Sequence, residues 1–150
     1  YHTQNFSVPP MSLGVLAALT PSNWDIEILD ENVDDFRFID ADIVGLTALT
    51  SSINRAYEIA SYCRKKGLTI IMGGIHVSMM PEEALRFADA VVIGEAESIW
   101  KTVIEDFEKN ELKQFYHGQL QSIYDSPPHA LTCIIKNTDL VVCKPRVDVR

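Results

Sequence analysis

Hydrophobic and polar positions divide the middle of the chain into short runs of two kinds. The run WDIEILD alternates apolar with polar side chains, which is the period of a strand buried on one face. Three other runs are apolar almost throughout, as strands covered on both faces are: DIVGLTAL, LTIIMGG and DAVVIGE. Strands of this second kind predict a parallel sheet with helices on both sides.

Helical spacing fills the segments around these strands. In SINRAYEIASYCRKKG, Ile53, Tyr57 and Ala60 fall on successive turns, and Gly67 suits the left-handed residue that ends a helix. The other predicted helices are PPMSLGVLAALT, PEEALRFA and AESIWKTVIEDFEKNE. The pattern predicts an α/β fold, a doubly wound (Rossmann- or flavodoxin-like), mostly parallel sheet with flanking helices and right-handed crossovers.

The last part of the chain has a different pattern. A Pro127-Pro128 break precedes LTCIIKNTDLVVCK, in which residues 137–139 separate two β-rich runs, as in a hairpin. We therefore expect one α/β domain over residues 1–126. Residues 127–150 are expected to form a tail, or the start of a linker, with a β-hairpin-like conformation.

Composition narrows the function classes. The 150 residues are 47% hydrophobic and 23% charged, which is ordinary for a globular domain. A formal net charge of −8 disfavours nucleic acid as a partner, because a phosphate backbone would be repelled. No apolar run approaches the roughly 20 residues of a membrane-spanning helix. Three widely spaced cysteines predict neither a disulfide framework nor a CxxC metal site, so reduced thiols and a cytoplasmic location are expected.

Residues capable of binding a ligand follow three of the predicted strands. Because the carboxyl ends of parallel strands share one edge of a sheet, where ligands bind, we expect these residues to lie close together. They are the hydroxyl residues Thr47, Thr50, Ser51 and Ser52, the segment Gly73-Gly74-Ile75-His76, and the segment Gly94-Glu95-Ala96-Glu97.

Each of these groups also has an explanation that needs no ligand. One hydroxyl is expected to cap the helix that follows. Glycine is favoured wherever a strand end needs a positive φ. The two glutamates suit the positive end of a helix dipole. Capping accounts for one hydroxyl rather than four, so a ligand is the better explanation of the whole set.

Together and in order, these segments resemble the cobalamin-binding domain, in the version that precedes a radical S-adenosylmethionine domain in B12-dependent radical enzymes. The resemblance extends over about residues 9–100 and is carried by five pieces: PPMSLGVLAAL, ILDEN, ADIVGLTALTSS, IIMGGIHVSMMPEEAL and ADAVVIGEAESIW. It implies a cobalamin-binding module that is not catalytic alone. Its implied partners are cobalamin and a radical S-adenosylmethionine catalytic domain, in an enzyme for methyl transfer or radical rearrangement.

The resemblance also implies cofactor-binding residues. Thr47-Ala48-Leu49 is similar to the family's Ser/Thr-x-Leu motif along the nucleotide tail, and Gly73-Gly74 to the double glycine beside the dimethylbenzimidazole. Substitution of either glycine by Val is expected to abolish binding and leave the fold largely intact. The expected contacts are Pro10, Met11, Ser12 and Leu13 under the corrin ring, together with Thr47, Leu49, Thr50, Ser51, Gly73, Gly74, Ile75, His76, Gly94, Glu95 and Glu97.

The sequence departs from related patterns at two places. Residues 9–14 contain no histidine where another branch has its DxHxxG motif, so no protein histidine is expected as the lower cobalt ligand. His76 is expected to orient its loop or contact the tail, with a purely structural histidine as the alternative. The CxxxCxxC spacing of a [4Fe–4S] site is missing, so no iron-sulfur cluster is expected in this chain. We therefore predict no catalytic residue and no metal ligand.

The family also has a central strand ahead of the Pro-Pro segment, where this chain has YHTQNFSV. One hypothesis is that the chain lacks that strand and that a run of the tail, LTCIIK or LVVCK, pairs in its place. A structure with both runs far from the sheet would exclude this.

Two other function classes share the predicted fold. A receiver-like phosphoacceptor needs an Asp and a Lys where Thr47 and Glu95 stand, so the sequence excludes it. A nucleotide- or flavin-binding domain, whose phosphate would use the hydroxyls of residues 47–52, is the alternative, although no GxGxxG is present.

Overall fold

The computed structural model describes residues 11–30, 37, 40–119 and 139–145, and for residues 11, 12, 30 and 139–145 it describes the backbone alone. The helices are α1 (Met11–Leu19), α2 (Ile53–Lys65), α3 (Ile75–Met79), α4 (Pro81–Ala84) and α5 (Trp100–Glu108). The strands are β1 (Trp24–Asp30), β2 (Ile43–Thr47), β3 (Thr69–Gly73), β4 (Ala90–Ile93), β5 (Phe115–His117) and β6 (Asp139–Pro145). A short 3-10 turn, Ala96–Ser98, precedes α5.

The six strands form one sheet in the order β1-β6-β2-β3-β4-β5. Strands β2, β3, β4 and β5 are parallel to one another, which confirms the predicted doubly wound α/β fold. Strand β6 lies antiparallel between β1 and β2, with Val142 opposite Glu27 on one side and Val44 on the other. The run LVVCK therefore pairs inside the sheet, as the sequence hypothesis proposed, whereas LTCIIK lies outside the described residues.

Two hydrophobic clusters lie on opposite faces of the sheet. Val44 and Ile70 belong to the cluster covered by α2, α3 and α4. Ile43 and Ile71, their neighbours in sequence, belong to the cluster covered by α1 and α5. Both sets of strand side chains are buried, which is why β2, β3 and β4 are apolar without alternation. No helix in the described part of the chain is long and apolar enough to span a membrane.

Buried polar contacts join α1 and β1 to α5. Trp100 Nε1 donates to Thr20 Oγ1 at 2.8 Å, and that hydroxyl donates to the Leu16 carbonyl oxygen at 2.7 Å. Trp24 Nε1 donates to Glu108 Oε1 at 2.9 Å. Because each indole N–H has an acceptor, two large aromatic side chains fill this cluster without an unpaired donor.

Three elements differ from the sequence prediction. The gap between the double glycine and Pro81 contains α3, which ends at Met80 with φ −132° and ψ 57°. This non-helical conformation is consistent with the proline that follows, whose ring disfavours the helical conformation at the preceding residue. The helix after β4 begins at Trp100, behind the 3-10 turn. Strand β5 was not predicted, because three residues with only Tyr116 buried give no periodic signal.

Asp106 links α5 to β5 through a nearly buried carboxylate. Tyr116 donates its hydroxyl hydrogen to Asp106 Oδ2 at 2.9 Å, and Lys113 Nζ lies 3.0 Å from the same oxygen. The hydrogen bonds from Lys113 and from Tyr116, in that order of size, hold the pKa of Asp106 below its usual value.

We expect Asp106→Asn to lower the free energy of unfolding at neutral pH by on the order of 1 kcal/mol. Because the pKa of Asp106 is lower in the folded state, its contribution is present above the unfolded-state pKa and is lost as pH falls through the folded-state pKa. Urea unfolding at a series of pH values should therefore show the two proteins converging in acid. A difference that stays constant down to acidic pH would contradict this assignment.

Candidate functional site

The carboxyl ends of β2, β3, β4 and β5 lie together at one edge of the sheet, called here the carboxyl edge. Residues 48–52, helix α3, residues 94–99 and residues 118–119 leave the strands at this edge. Strand β1 points the same way as β2, since both are antiparallel to β6. Helix α1 ends shortly before β1 begins, so its first turn also lies at the carboxyl edge.

Gly74 marks the closest approach between two of these segments. Its φ is +101°, and a Cβ built on it would lie 2.7 Å from Thr47 Oγ1 and 3.0 Å from the Ala48 carbonyl oxygen. Any other residue would be strained in its backbone and would collide with the end of β2. The expectation that Val at position 74 leaves the fold largely intact is therefore wrong.

Gly94 is required by the chain in the same way. Its φ is +82°, and a Cβ there would lie 2.7 Å from the Gly118 carbonyl oxygen. A Cβ on Gly118 would lie 1.9 Å from the Glu95 carbonyl oxygen, so both glycines let the end of β5 pack against the loop after β4. Gly118 is absent from the predicted site. The signal that could have found it is positional, because β3, β4 and β5 are each followed directly by a glycine.

Gly73 differs from these three glycines. Its φ is not in the left-handed region, and a Cβ there would meet nothing closer than Val92 at 3.8 Å, an ordinary van der Waals contact. The residue lies opposite Thr47 in the β2–β3 pairing. The described part of the chain therefore gives no steric reason for glycine at this position.

Two serines join the loops of the carboxyl edge. Ser78 Oγ donates to the Gly74 carbonyl oxygen at 2.9 Å and accepts from Gly94 N–H at 3.0 Å. Ser98 Oγ donates to the Glu95 carbonyl oxygen at 3.1 Å and accepts from Gln119 N–H at 2.8 Å. Each hydroxyl bridges the backbones of two consecutive loops. Neither serine was predicted, because a single serine in a short helix carries no distinguishing pattern.

The imidazole of His76 connects two further elements of this edge. Its Nδ1 lies 3.3 Å from Thr50 Oγ1, and its Nε2 lies 3.6 Å from Glu83 Oε1. Tyr57 donates its hydroxyl hydrogen to the same Glu83 oxygen at 3.0 Å. Burial, and then the hydrogen bond to Glu83, raise the pKa of Tyr57 to about 12. The loop after β2 is thus connected through His76 to α4 and α2.

The hydroxyl residues that follow β2 make different contacts. Thr47 Oγ1 packs against Gly74, and Thr50 contacts His76. Ser52 stands at the position before α2 but makes no side-chain cap. Its hydroxyl instead donates to the Leu49 carbonyl oxygen at 3.3 Å and accepts from Leu49 N–H at 3.2 Å. The expectation that one of the four hydroxyls caps the helix is therefore not met at Ser52, because the turn competes for it.

The loops of the carboxyl edge also carry acidic and exposed apolar side chains. Burial raises the pKa of the Glu97 carboxyl, and the charge of Glu95 raises it further. Leu49 is 48% exposed and Ile75 is 64% exposed. Met79, which was not predicted, is 73% exposed. An apolar surface therefore lies beside the polar residues of the site.

Of the site residues predicted in and before α1, the structure describes the side chain of Leu13 alone. Pro10 and the side chains of Met11 and Ser12 lie outside the described residues. Leu13 is only 2% exposed and packs with Trp24 in the hydrophobic cluster between α1, α5 and the sheet. The predicted Leu13 therefore belongs to the core in this structure. Within the described ranges, no group of three His, Cys, Asp or Glu side chains is placed to hold a metal ion.

Comparison with known proteins identifies a family and several relatives. The family model described as the B12 binding domain matches residues 3–104. Bacteriochlorophyllide d C-8(2)-methyltransferase of Chlorobaculum tepidum is 44% identical over 120 residues, which cover 79% of this chain and 26% of that protein. Bacteriochlorophyllide d C-12(1)-methyltransferase of the same organism is 30% identical over 110 residues, which cover 71% of this chain and 24% of that protein.

Two further proteins are similar. An uncharacterised methyltransferase of Pyrococcus horikoshii is 32% identical over 149 residues, which cover 87% of this chain and 32% of that protein. The N-terminal domain of a hypothetical protein of Thermotoga maritima, known from a crystal structure, aligns with a TM-score of 0.43 and 28% identity, covering 51% of this chain and 61% of that chain. The chain spans 24% to 32% of the length of the three curated relatives.

The surroundings of the two adjacent glycines predict unequal effects of an added methyl group on stability. We expect Gly74→Ala to lower the free energy of unfolding by about 1–3 kcal/mol, because of its positive φ and the contact with Thr47. Gly73→Ala should change it by less than about 0.5 kcal/mol, since the added methyl group has space. Urea unfolding of the two variants measures this difference. Equal destabilisation by both would show that the end of β3 is packed differently.

Proposed function

Because this chain belongs to the B12-binding domain family, we propose that it binds cobalamin at the carboxyl edge, with Thr47, Gly73, Gly74 and Gly94 around the nucleotide tail. The family that the five sequence pieces indicated is confirmed by the match over residues 3–104. The individual contacts are the proposal. They agree with a general rule, since parallel sheets bind ligands beyond the carboxyl ends of their strands.

Gly73 is the observation that carries the assignment of the site. Gly74 and Gly94 are explained by their positive φ and by their contacts with Thr47 and Gly118. At Gly73 a Cβ would have space among the described residues, yet the residue is glycine. A flat ligand passing over the ends of β2 and β3 would occupy that space. The residues present therefore fit a cofactor whose tail lies against Gly73.

When bound, cobalamin supplies the cobalt chemistry of methyl transfer or radical rearrangement, and the protein holds and orients it. Thr47 offers its hydroxyl group to the tail, and Thr50 offers its hydroxyl group to another polar part of the cofactor. Ser78 keeps Gly74 and Gly94 at a fixed separation through its two hydrogen bonds. The exposed Leu49 and Ile75 offer apolar surface to the hydrophobic face of the cofactor. No protein histidine is proposed as a cobalt ligand.

The relatives favour a place for this module in a larger enzyme. Three are named as methyltransferases, and this chain covers about a quarter to a third of each. The full-length protein is accordingly proposed to be a B12-dependent radical S-adenosylmethionine enzyme that transfers a methyl group, with this chain as its cofactor-binding part. Methyl transfer is favoured over radical rearrangement by those names.

Titration with hydroxocobalamin, followed by the corrin absorbance and by equilibrium dialysis, tests the binding site. The wild type should retain the cofactor at concentrations on the order of tens of micromolar. Gly73→Val should weaken binding by about tenfold or more, because its side chain would occupy the space assigned to the tail. It should remain folded, as judged by urea unfolding.

Gly67→Ala is the matched control. Gly67 also has a positive φ of +87°, but it follows α2 at the opposite edge of the sheet, and no atom of the described residues lies within 4 Å of a built Cβ. This variant should lose stability and keep its affinity. Absence of binding by the wild type would reject the proposed function. Retention of flavin mononucleotide in place of cobalamin would favour a flavin-binding domain.

The acidic loop after β4 generates a pH prediction. The phosphate of the nucleotide tail, which is proposed to lie near this loop, should be repelled less when Glu97 is protonated. The pKa of Glu97 is raised, so the neutral form persists above the ordinary carboxyl range. Cobalamin affinity should therefore fall as pH rises through this raised pKa.

Glu97→Gln should remove that dependence by keeping the side chain neutral. Glu58→Gln is the charge-matched control, because Glu58 pairs with Arg55 on the exposed face of α2. Dialysis at several pH values compares the three proteins. A wild-type affinity that does not change with pH would place the phosphate away from Glu97.

A further inference from the structure

The imidazole of His76, in the first turn of α3, is largely buried. Its side chain is 13% exposed, and its Nε2 atom is fully buried without a hydrogen-bond partner among the described residues. An unpaired polar atom in such a place lowers stability, so its orientation calls for an explanation. The contacts of the ring with Glu83 and with Thr50 explain its orientation.

Glu83 determines which ring nitrogen carries the hydrogen. Its Oε1 lies 3.6 Å from Nε2, too long for a hydrogen bond but close enough to attract an N–H. The hydrogen bond from Tyr57, at 3.0 Å, keeps this carboxylate in position. A carboxylate has only acceptors, so of the two neutral tautomers the one with its hydrogen on Nε2 suits this contact.

The opposite nitrogen then orients Thr50. Without a hydrogen, Nδ1 can only accept, and Thr50 Oγ1 lies 3.3 Å away. The Thr50 hydroxyl must therefore donate its single hydrogen inward, to His76, and its lone pairs face away from the ring. Thr50 is exposed in the loop after β2, three positions beyond Thr47.

We propose that His76 is a positioning residue that makes Thr50 a hydrogen-bond acceptor for an N–H group of the ligand. This inference rests on the proposed function and deepens it, since the carboxamide groups around a corrin ring are donors of this kind. His76 does not touch the cobalt and acts through the threonine alone.

The tautomer of His76 can be measured without any cofactor. Proton–nitrogen correlation spectra of the uniformly ¹⁵N-labelled chain at neutral pH distinguish the two ring nitrogens, and the signals missing in His76→Asn assign the residue. The expected form carries hydrogen on Nε2 alone. A hydrogen on Nδ1, whether in the other tautomer or in an imidazolium, would overturn the proposal.

Three substitutions of His76 separate its two contacts. Asn reproduces a polar atom at the position of Nδ1, whereas Gln reproduces one at the position of Nε2. His76→Asn should bind hydroxocobalamin nearly as well as the wild type, and His76→Gln and His76→Ala should bind roughly fivefold more weakly. Rescue by Gln rather than Asn would show that the contact with Glu83 matters instead, and would overturn the role assigned to Thr50. Urea unfolding reports any loss of fold.

A double-mutant cycle with Thr50→Val tests whether His76 acts through Thr50. Each single variant should bind roughly fivefold more weakly, and the double variant His76→Ala/Thr50→Val should be no weaker than Thr50→Val. If the two single effects multiply, so that the double variant binds roughly 25-fold more weakly than the wild type, the proposal is overturned although cobalamin binding itself stands. Absence of binding by the wild type would reject the proposed function and this inference with it.

Discussion

The arrangement of the carboxyl edge depends on the contact between Gly74 and the end of β2. A Cβ at this position would lie 2.7 Å from Thr47 Oγ1, so the two loops can meet only if residue 74 is glycine. Ser78 then reaches both the carbonyl oxygen of Gly74 and the amide of Gly94. The contact of Gly74 with Thr47 and the two hydrogen bonds of Ser78 thus join the segments that follow β2, β3 and β4.

The double glycine is therefore two residues with different functions. Gly74 is explained by the fold, through its backbone conformation and its contact with Thr47. Gly73 has no such explanation among the described residues, which is why the proposed site rests on it. A sequence motif does not separate the two, because both positions read as glycine. The local geometry separates them, since one Cβ would collide with the chain and the other would not.

The hydrophobic pattern of the sequence predicted some elements of the sheet and missed others. Continuous apolar runs predicted β2, β3 and β4 correctly, because their side chains are buried on both faces by separate sets of helices. The pattern missed β5 and α3, which have three and five residues and are too short for a period to show. Strand β6 pairs with β1 and β2 across a long sequence separation, so only a resemblance to a larger family suggested its place.

The sequence by itself determined the family, the α/β class and the three strand ends at which ligand contacts are proposed, because periodic burial and ordered motifs are local properties of the chain. The tertiary structure decided which of those residues are required by the packing of the chain and which are not. In that structure Leu13 lies in the core, the Ser52 hydroxyl hydrogen-bonds to the backbone of Leu49, and His76 lies between Thr50 and Glu83. The physical reason is that these roles depend on distances between segments far apart in sequence, and such distances are fixed only when the strands pair and the helices pack.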